Sequence, residues 1–230
     1  MRNSTFMARL GAAFGVIFIA IYLWQTPGLI TGKLTKPEID HYLAAADKNL
    51  EMPDPALKQR VMQRLRAWSE ADDGKPFYML NLMRHFPQLV EPKGAPSLNM
   101  TPQQANDYYE GEAFKLLAPN AGSLPYGSDI RFKDALIPIG DQASFDHWSR
   151  ILLVRYPNRR AFLQLVADPN YAPLEPYKLR ALEVLLVPTD GDVVLPDVRL
   201  AAGAVLLLSF LGLGWYRSAR QPSVRTDVRN

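Results

Sequence analysis

Trp148-Ser149-Arg150-Ile151-Leu152-Leu153-Val154-Arg155-Tyr156-Pro157-Asn158-Arg159-Arg160-Ala161-Phe162 is the stretch that decides the fold. Its first nine residues predict a strand. Trp148, Arg150, Leu152, Val154 and Tyr156 share one face; Ser149, Ile151, Leu153 and Arg155 share the other. Pro157 ends the strand, and Asn158 caps a helix running to about Ala167. Asp168-Pro169-Asn170-Tyr171 stops that helix, because the residue before a proline leaves the helical region.

Downstream, a short helix is predicted over 173–180 and a last strand over Leu182–Val187. Pro188-Thr189-Asp190-Gly191 reads as a turn, and 188–198 as a link. Upstream, Phe77–Met83 is apolar almost throughout, as in a strand covered on both faces. Asn81 is its exception, and a polar side chain there needs partners. A Pro-rich loop over 87–100 leads to Thr101-Pro102, which opens a helix to about Leu117. Pro119 to Gly127 reads as a turn and Ile130–Ile139 as a strand. The order is β-α-β, then β-α-β. That predicts an α+β class: a ferredoxin-like βαββαβ domain with an antiparallel sheet over 76–188.

Residues 35–72 read as a helical linker region. Thr35, Pro37 and Glu38 start one helix with capping-box spacing. A second, over 55–70, buries Leu57, Val61, Leu65 and Trp68 and turns Lys58, Arg60, Arg64 and Arg66 outward. That basic face reads as solvated, with anionic lipid as the alternative contact.

Outside these lie two apolar runs, uncharged over 10–30 and over 200–216, with Arg199 able to snorkel to the surface. Residues 10–30 and 198–216 are each read as a transmembrane helix. Trp24, Trp215 and Tyr216 sit where interfacial aromatics belong. A cleaved signal peptide is the rival reading of the first run, but Trp24-Gln25-Thr26-Pro27-Gly28 offers no small-x-small cleavage site. Gly11 and Gly15 have the spacing of a helix-packing face. Arg2 and Arg9 precede the first run; Arg217, Arg220, Arg225 and Arg229 follow the second. Short basic flanks stay inside. The expectation is a two-pass protein of the bacterial inner membrane. Residues 1–9 and the basic tail 217–230 would be cytoplasmic, and the central domain periplasmic.

Lys+Arg total 26 against Asp+Glu 23, with no cysteine. Cysteine chemistry is excluded outright. No basic cluster outside the tail suggests a nucleic-acid partner.

The block Phe145-Asp146-His147-Trp148, then Leu153 to Phe162, then Asp168-Pro169-Asn170-Tyr171, resembles the central block of the family catalogued as domain of unknown function 1330. Tyr78-Met79-Leu80-Asn81-Leu82-Met83-Arg84 resembles its opening strand. That family belongs to the dimeric α/β-barrel superfamily, and the resemblance spans about residues 76–188. It implies a four-stranded antiparallel sheet with helices on one face, and two such sheets packed face to face in a homodimer. Relatives in the superfamily include cofactor-free monooxygenases, lactone isomerases and haem-binding peroxidases, with sites between sheet and helices. Fold alone does not choose among these. The two apolar helices and residues 35–72 have no counterpart in the small family members.

His41, His85 and His147 lack metal-ligand spacing, so no metal is expected. No cofactor is expected either; a haem ligand from His147 or His85 is the alternative. A polar cleft can be assembled from Asn81, Arg84, Tyr108, Tyr109, Glu112, Trp148, Arg150, Arg155 and Tyr156. His85 or His147 would be its general base. For each residue alone, packing or solvation explains the side chain as well.

Two functions follow. One is a membrane-anchored dimeric binding or assembly module, with lipid and a membrane protein as partners. The other is a small cofactor-free oxygenase or isomerase acting on an apolar or phenolic substrate. The enzyme requires a pocket lined by Asn81, His85, Arg150 or Tyr108. The module requires a filled core and an exposed apolar sheet face.

Overall fold

The computed structural model describes residues 2–50, 52, 54–131, 147–191 and 198–220. The chain forms two compact units, Met1–Gln25 with Val194–Asn230, and Thr26–Val193.

The first unit contains helices α1 (Arg2–Gln25) and α8 (Val198–Ala219). Within them, Thr5–Gln25 and Val198–Arg217 are long and apolar enough to cross a membrane. The two helices pack on each other. Arg217 lies over the Phe6 ring, Phe210 against Gly11, Gly203 against Phe18, and Arg199 over Tyr22. Early residues of α1 thus meet late residues of α8, so the pair is antiparallel. A methyl group at Gly203 would stand 3.1 Å from Phe18 Cε2, and one at Gly214 would stand 2.9 Å from Met7 Cε. The absent side chains are what allow the helices to approach. Of the Gly11/Gly15 pair, only Gly11 faces the partner helix; nothing lies within 4 Å of a side chain at Gly15.

In the second unit, α2 (Gly28–Thr31), α3 (Lys36–Asn49) and α4 (Pro55–Glu70) precede the sheet. The capping box forms as read, with Glu38 accepting from Thr35 N and Oγ1 at 2.8 and 2.7 Å. The remaining elements are β1 (Phe77–His85), α5 (Pro102–Leu117), β2 (Ser123–Asp129), β3 (Arg150–Tyr156), α6 (Arg159–Ala167), α7 (Glu175–Leu179) and β4 (Leu182–Thr189). They form a four-stranded antiparallel sheet in the order β2-β3-β1-β4.

Strand boundaries differ most from expectation at the two sheet edges. The second strand occupies 123–129, where a turn was read, and residues 132–139 of the expected strand lie outside the described residues. β4 also continues through Pro188 and Thr189. Both are edge strands, where proline removes no ladder bond that a second neighbour needs. Pro125 and Gly127 are therefore tolerated in β2, with a register shift between Ser123 and Tyr126.

Phe77, Met79, Met83, Leu152, Val154 and Tyr156 point to the helix side and are buried. Residues 35–72 are more than a linker. Ile39, Leu43 and Ala46 of α3 join the same core, and α3 lies against α6. Trp68 of α4 meets Phe77 and Phe162 edge-on at 5.0 and 5.5 Å. Arg159 donates to Trp68 O at 2.6 Å, and Arg160 reaches Glu38, Thr31 Oγ1 and the carbonyls of Gly32 and Lys33. The two arginines that follow Asn158 thus fix the N-terminal helices to the α6 end of the sheet.

The opposite face of the sheet has an apolar centre, part-exposed among the described residues and flanked by the Arg84–Glu183 pair. Leu80 and Leu82 of β1, Ile151 and Leu153 of β3, and Leu185 and Val187 of β4 share it by register. Leu185 is 52% exposed and Val187 43%.

Candidate functional site

The helix side of the sheet holds a layer of polar groups within the apolar core. Asn81 sits in the middle of β1 on that side, opposite Leu152 and Leu186. Its Nδ2 donates to Met79 O at 3.1 Å and to Leu152 O at 3.4 Å. Both acceptors are carbonyls, so Oδ1 must face away from them. It accepts from Lys178 Nζ at 3.2 Å. Lys178 is buried on α7, with its ammonium 4.8 Å from the centre of the Tyr109 ring. Burial pulls its pKa down to about 8, against the opposing pull of Glu110. Tyr109 of α5 shares a 2.7 Å hydroxyl–hydroxyl bond with Tyr171. Burial raises both phenols, Tyr171 to about 12 and Tyr109 well above its ordinary value, so both are neutral.

Glu110 connects this group to the next. It accepts from Arg150 Nε at 2.8 Å and Nη2 at 2.6 Å, and Arg150 Nη1 donates to Asp129 at 2.8 Å. These carboxylates hold the Arg150 guanidinium firmly protonated. Asn106, fully buried one turn before, donates to Glu110 at 2.8 Å. Its Oδ1 has no hydrogen-bond partner among the described residues, and neither has His85 Nε2. Burial lowers the His85 pKa, opposed by Asp107, Asp129 and Glu110.

Of the residues read from the sequence, the structure brings together Asn81, Tyr109, Arg150 and, through the field of Glu110, His85. The others stand elsewhere. Arg84 lies beside Glu183 at 3.5 Å and 4.7 Å over the Trp148 ring. Tyr108 is exposed and packs on Tyr177 at 4.6 Å. Glu112 pairs with Lys115 on the surface at 2.6 Å. His147 is exposed, with a left-handed φ of 66°. Tyr156 stacks on Phe77 at 5.2 Å in the aromatic core. Arg155 is buried at the β2 edge, donating to Ala121 O at 3.4 Å.

Sequence reading missed Lys178, Glu110, Asn106 and Tyr171 as site residues. A signal existed for α5. Asn106, Tyr109, Glu110 and Ala113 follow helical spacing, so polar groups interrupt the inward stripe. Lys178 gave no such signal.

No group of three or more potential metal ligands occurs among the described residues. A surface groove between α3 and α4 is lined by Asp40, Leu43, Gln59, Met62 and Arg66, and includes none of Asn81, His85, Arg150 or Tyr108. The basic face of α4 is largely ion-paired. Lys58 meets Asp47 at 3.4 Å, Arg60 meets Asp54 at 3.9 Å and Arg66 meets Asp40 at 2.6 Å.

No family model matches the chain. No curated protein sequence does so either. Among solved structures, a protein of unknown function from Rhodopseudomonas palustris is similar. It is 23% identical, with a TM-score of 0.47, covering 63% of this chain and 97% of that one. SnoaB, a cofactor-independent oxygenase from Streptomyces nogalater, is 11% identical. Its TM-score is 0.33, covering 54% of this chain and 99% of that one. Neither likeness carries an activity to this chain.

Proposed function

We propose that this chain is a membrane-anchored binding or assembly module that self-associates through the open face of its sheet. The carrying observation is that face. Leu80, Leu82, Ile151, Leu153, Leu185 and Val187 form one apolar surface across three strands. Exposed apolar area of this kind marks an interaction site in a soluble unit. The strand order β2-β3-β1-β4 supports the ferredoxin-like βαββαβ reading. It supports the dimeric α/β-barrel reading of the 148–162 block, in which two sheets meet face to face.

The apolar helices supply the anchor. Their antiparallel packing puts Arg217 beside Phe6, and so gathers the basic flanks of both helices at one end of the hairpin. That arrangement supports cytoplasmic termini and a periplasmic α+β unit, by the excess of basic residues on the inner side. The enzyme reading has less support, because Arg150 is already committed to Glu110 and Asp129.

Native mass spectrometry of the full chain, released gently from detergent, tests the association. A dimer is expected; a monomer at all concentrations would refute it. A reporter active only in the cytoplasm, fused near residue 100, is expected to stay silent. A strong signal would overturn the orientation independently of the dimer.

A further inference from the structure

The first apolar run does not continue as one helix. α1 ends at Gln25, and Pro27 precedes the single turn of α2, Gly28–Thr31. Leu29 and Ile30 therefore belong to the α+β unit, where they are 68% and 70% exposed. The segment that carries them is clamped. Arg160 of α6 donates to Thr31 Oγ1 at 2.7 Å and to the carbonyls of Gly32 and Lys33, each at 3.2 Å. Leu34 N donates to the buried Asp72 carboxylate at 2.7 Å. Gly28 lies so close to Gly74 that a Cβ there would stand 1.9 Å from the Gly74 carbonyl oxygen. The fold thus displays two adjacent aliphatic side chains on a firmly held turn, a placement that marks an interaction surface.

The position of that turn on the unit points to what covers it. Gly28 rests on Gly74, just before β1 begins at Phe77. Thr189, the last residue of β4, pairs with Tyr78 and donates through Oγ1 to Tyr78 O at 3.1 Å. The strand from which the chain runs on to α8 thus ends beside the same start of β1. Both connections to the apolar helices leave the α+β unit at one end, and that end carries Leu29 and Ile30. Leu29 follows Gln25 so closely in sequence that at most about 14 Å of extended chain separates them. Lys33, Lys36 and Lys75 are exposed on the same segments, with Asp73 4.0 Å from Lys75. An apolar pair flanked by lysines is the composition that suits a lipid surface with anionic headgroups.

We infer that Leu29 and Ile30 insert into the bilayer surface, at the boundary of headgroups and acyl chains, with Lys33 and Lys36 among the lipid phosphates. The inference rests on the membrane-anchor reading above and adds to it a second, separate contact with lipid. The start of β1 and the end of β4 then face the membrane, which leaves the open face of the sheet free for a second copy.

The test uses the full chain, which contains no cysteine, so a single introduced cysteine reports alone. Val16→Cys in α1, Ile30→Cys and Lys93→Cys, in the loop after the other end of β1, are each labelled with bimane. The proteins are reconstituted into vesicles of phosphatidylethanolamine and phosphatidylglycerol that contain nitroxide-labelled lipid. The label at 30 is expected to be quenched by nitroxides near the headgroups, the label at 16 by nitroxides deep in the acyl chains, and the label at 93 by neither. Leu29→Gln, an exposed change expected to leave the melting temperature unaltered, should reduce the quenching at 30. A label at 30 as open to aqueous iodide as the label at 93, with 16 quenched by lipid, overturns the inference and leaves the anchor standing. Quenching at 30 that Leu29→Gln does not change overturns it as well. Absence of quenching at 16 refutes the anchor and this contact together.

Discussion

Arg150 on β3 grips Glu110 on α5 through two hydrogen bonds, 2.8 Å from Nε and 2.6 Å from Nη2, and so ties the sheet to the helix that covers it. Glu110 and Arg150 are mostly buried, with side chains 12% and 20% exposed. Breaking such a pair by removing one member leaves the other uncompensated. Arg150→Met is expected to destabilise the α+β unit by about 3 kcal/mol. The double variant Arg150→Met with Glu110→Met should recover a large part of that loss. Chemical denaturation of all three proteins checks the cycle; equal losses in the single and double variants would contradict it.

Lys178 makes an opposite prediction. Its folded pKa of about 8 lies below the 10.5 of an ordinary lysine. Between those values the unfolded chain binds more protons, so stability rises with pH. Below about pH 8 both states are charged, and the whole cost of burying the ammonium is present. Lys178→Met should therefore stabilise the protein at pH 7, by on the order of 2 kcal/mol. The advantage should shrink as pH rises toward 10.5. Denaturation midpoints at pH 7 and pH 10 give the comparison, and an advantage that grows with pH would reverse the sign.

The sequence made some of these relationships visible and hid others. The β3–α6 segment could be read directly, because alternation, Pro157 and the Asn158 cap agree locally. Asn158 Oδ1 indeed accepts from Ala161 N at 2.9 Å. β2 could not, since an edge strand answers to one neighbour and admits Pro125 and Gly127. Asn81 stood out as a polar residue in an apolar strand. Lys178 did not, because its burial comes from packing against β1 and α5, far away in sequence. Tyr156 looked like a site residue at a strand end. What assigns it to the core is Phe77 on the neighbouring strand, a contact that no local pattern encodes.

The open sheet face supplies a third prediction. Leu185 and Val187 lie on the same side of edge strand β4 and are half-exposed, so charges there cost the folded monomer little. If the proposed self-association uses this face, the double variant Leu185→Glu with Val187→Lys should abolish it and leave a folded monomer. Light scattering in detergent reads the mass. A dimer of unchanged affinity would exclude this face from the contact.

The hairpin of α1 and α8 allows the cleanest geometric test, because the chain contains no cysteine. Introduced pairs therefore report only on themselves. Gly11 lies beside Phe210, and nothing lies within 4 Å of a side chain at Gly15. Cysteines at 11 and 210 should be bridged in native membranes by a short bifunctional maleimide, and cysteines at 15 and 210 should be bridged far less. Substituting leucine at Gly203, where even a methyl would stand 3.1 Å from the Phe18 ring, should force the helices apart. The 11–210 product should then fall. Equal bridging from 11 and 15 would mean that α1 presents another face, and that the close approach at Gly203 does not set the pairing of the two helices.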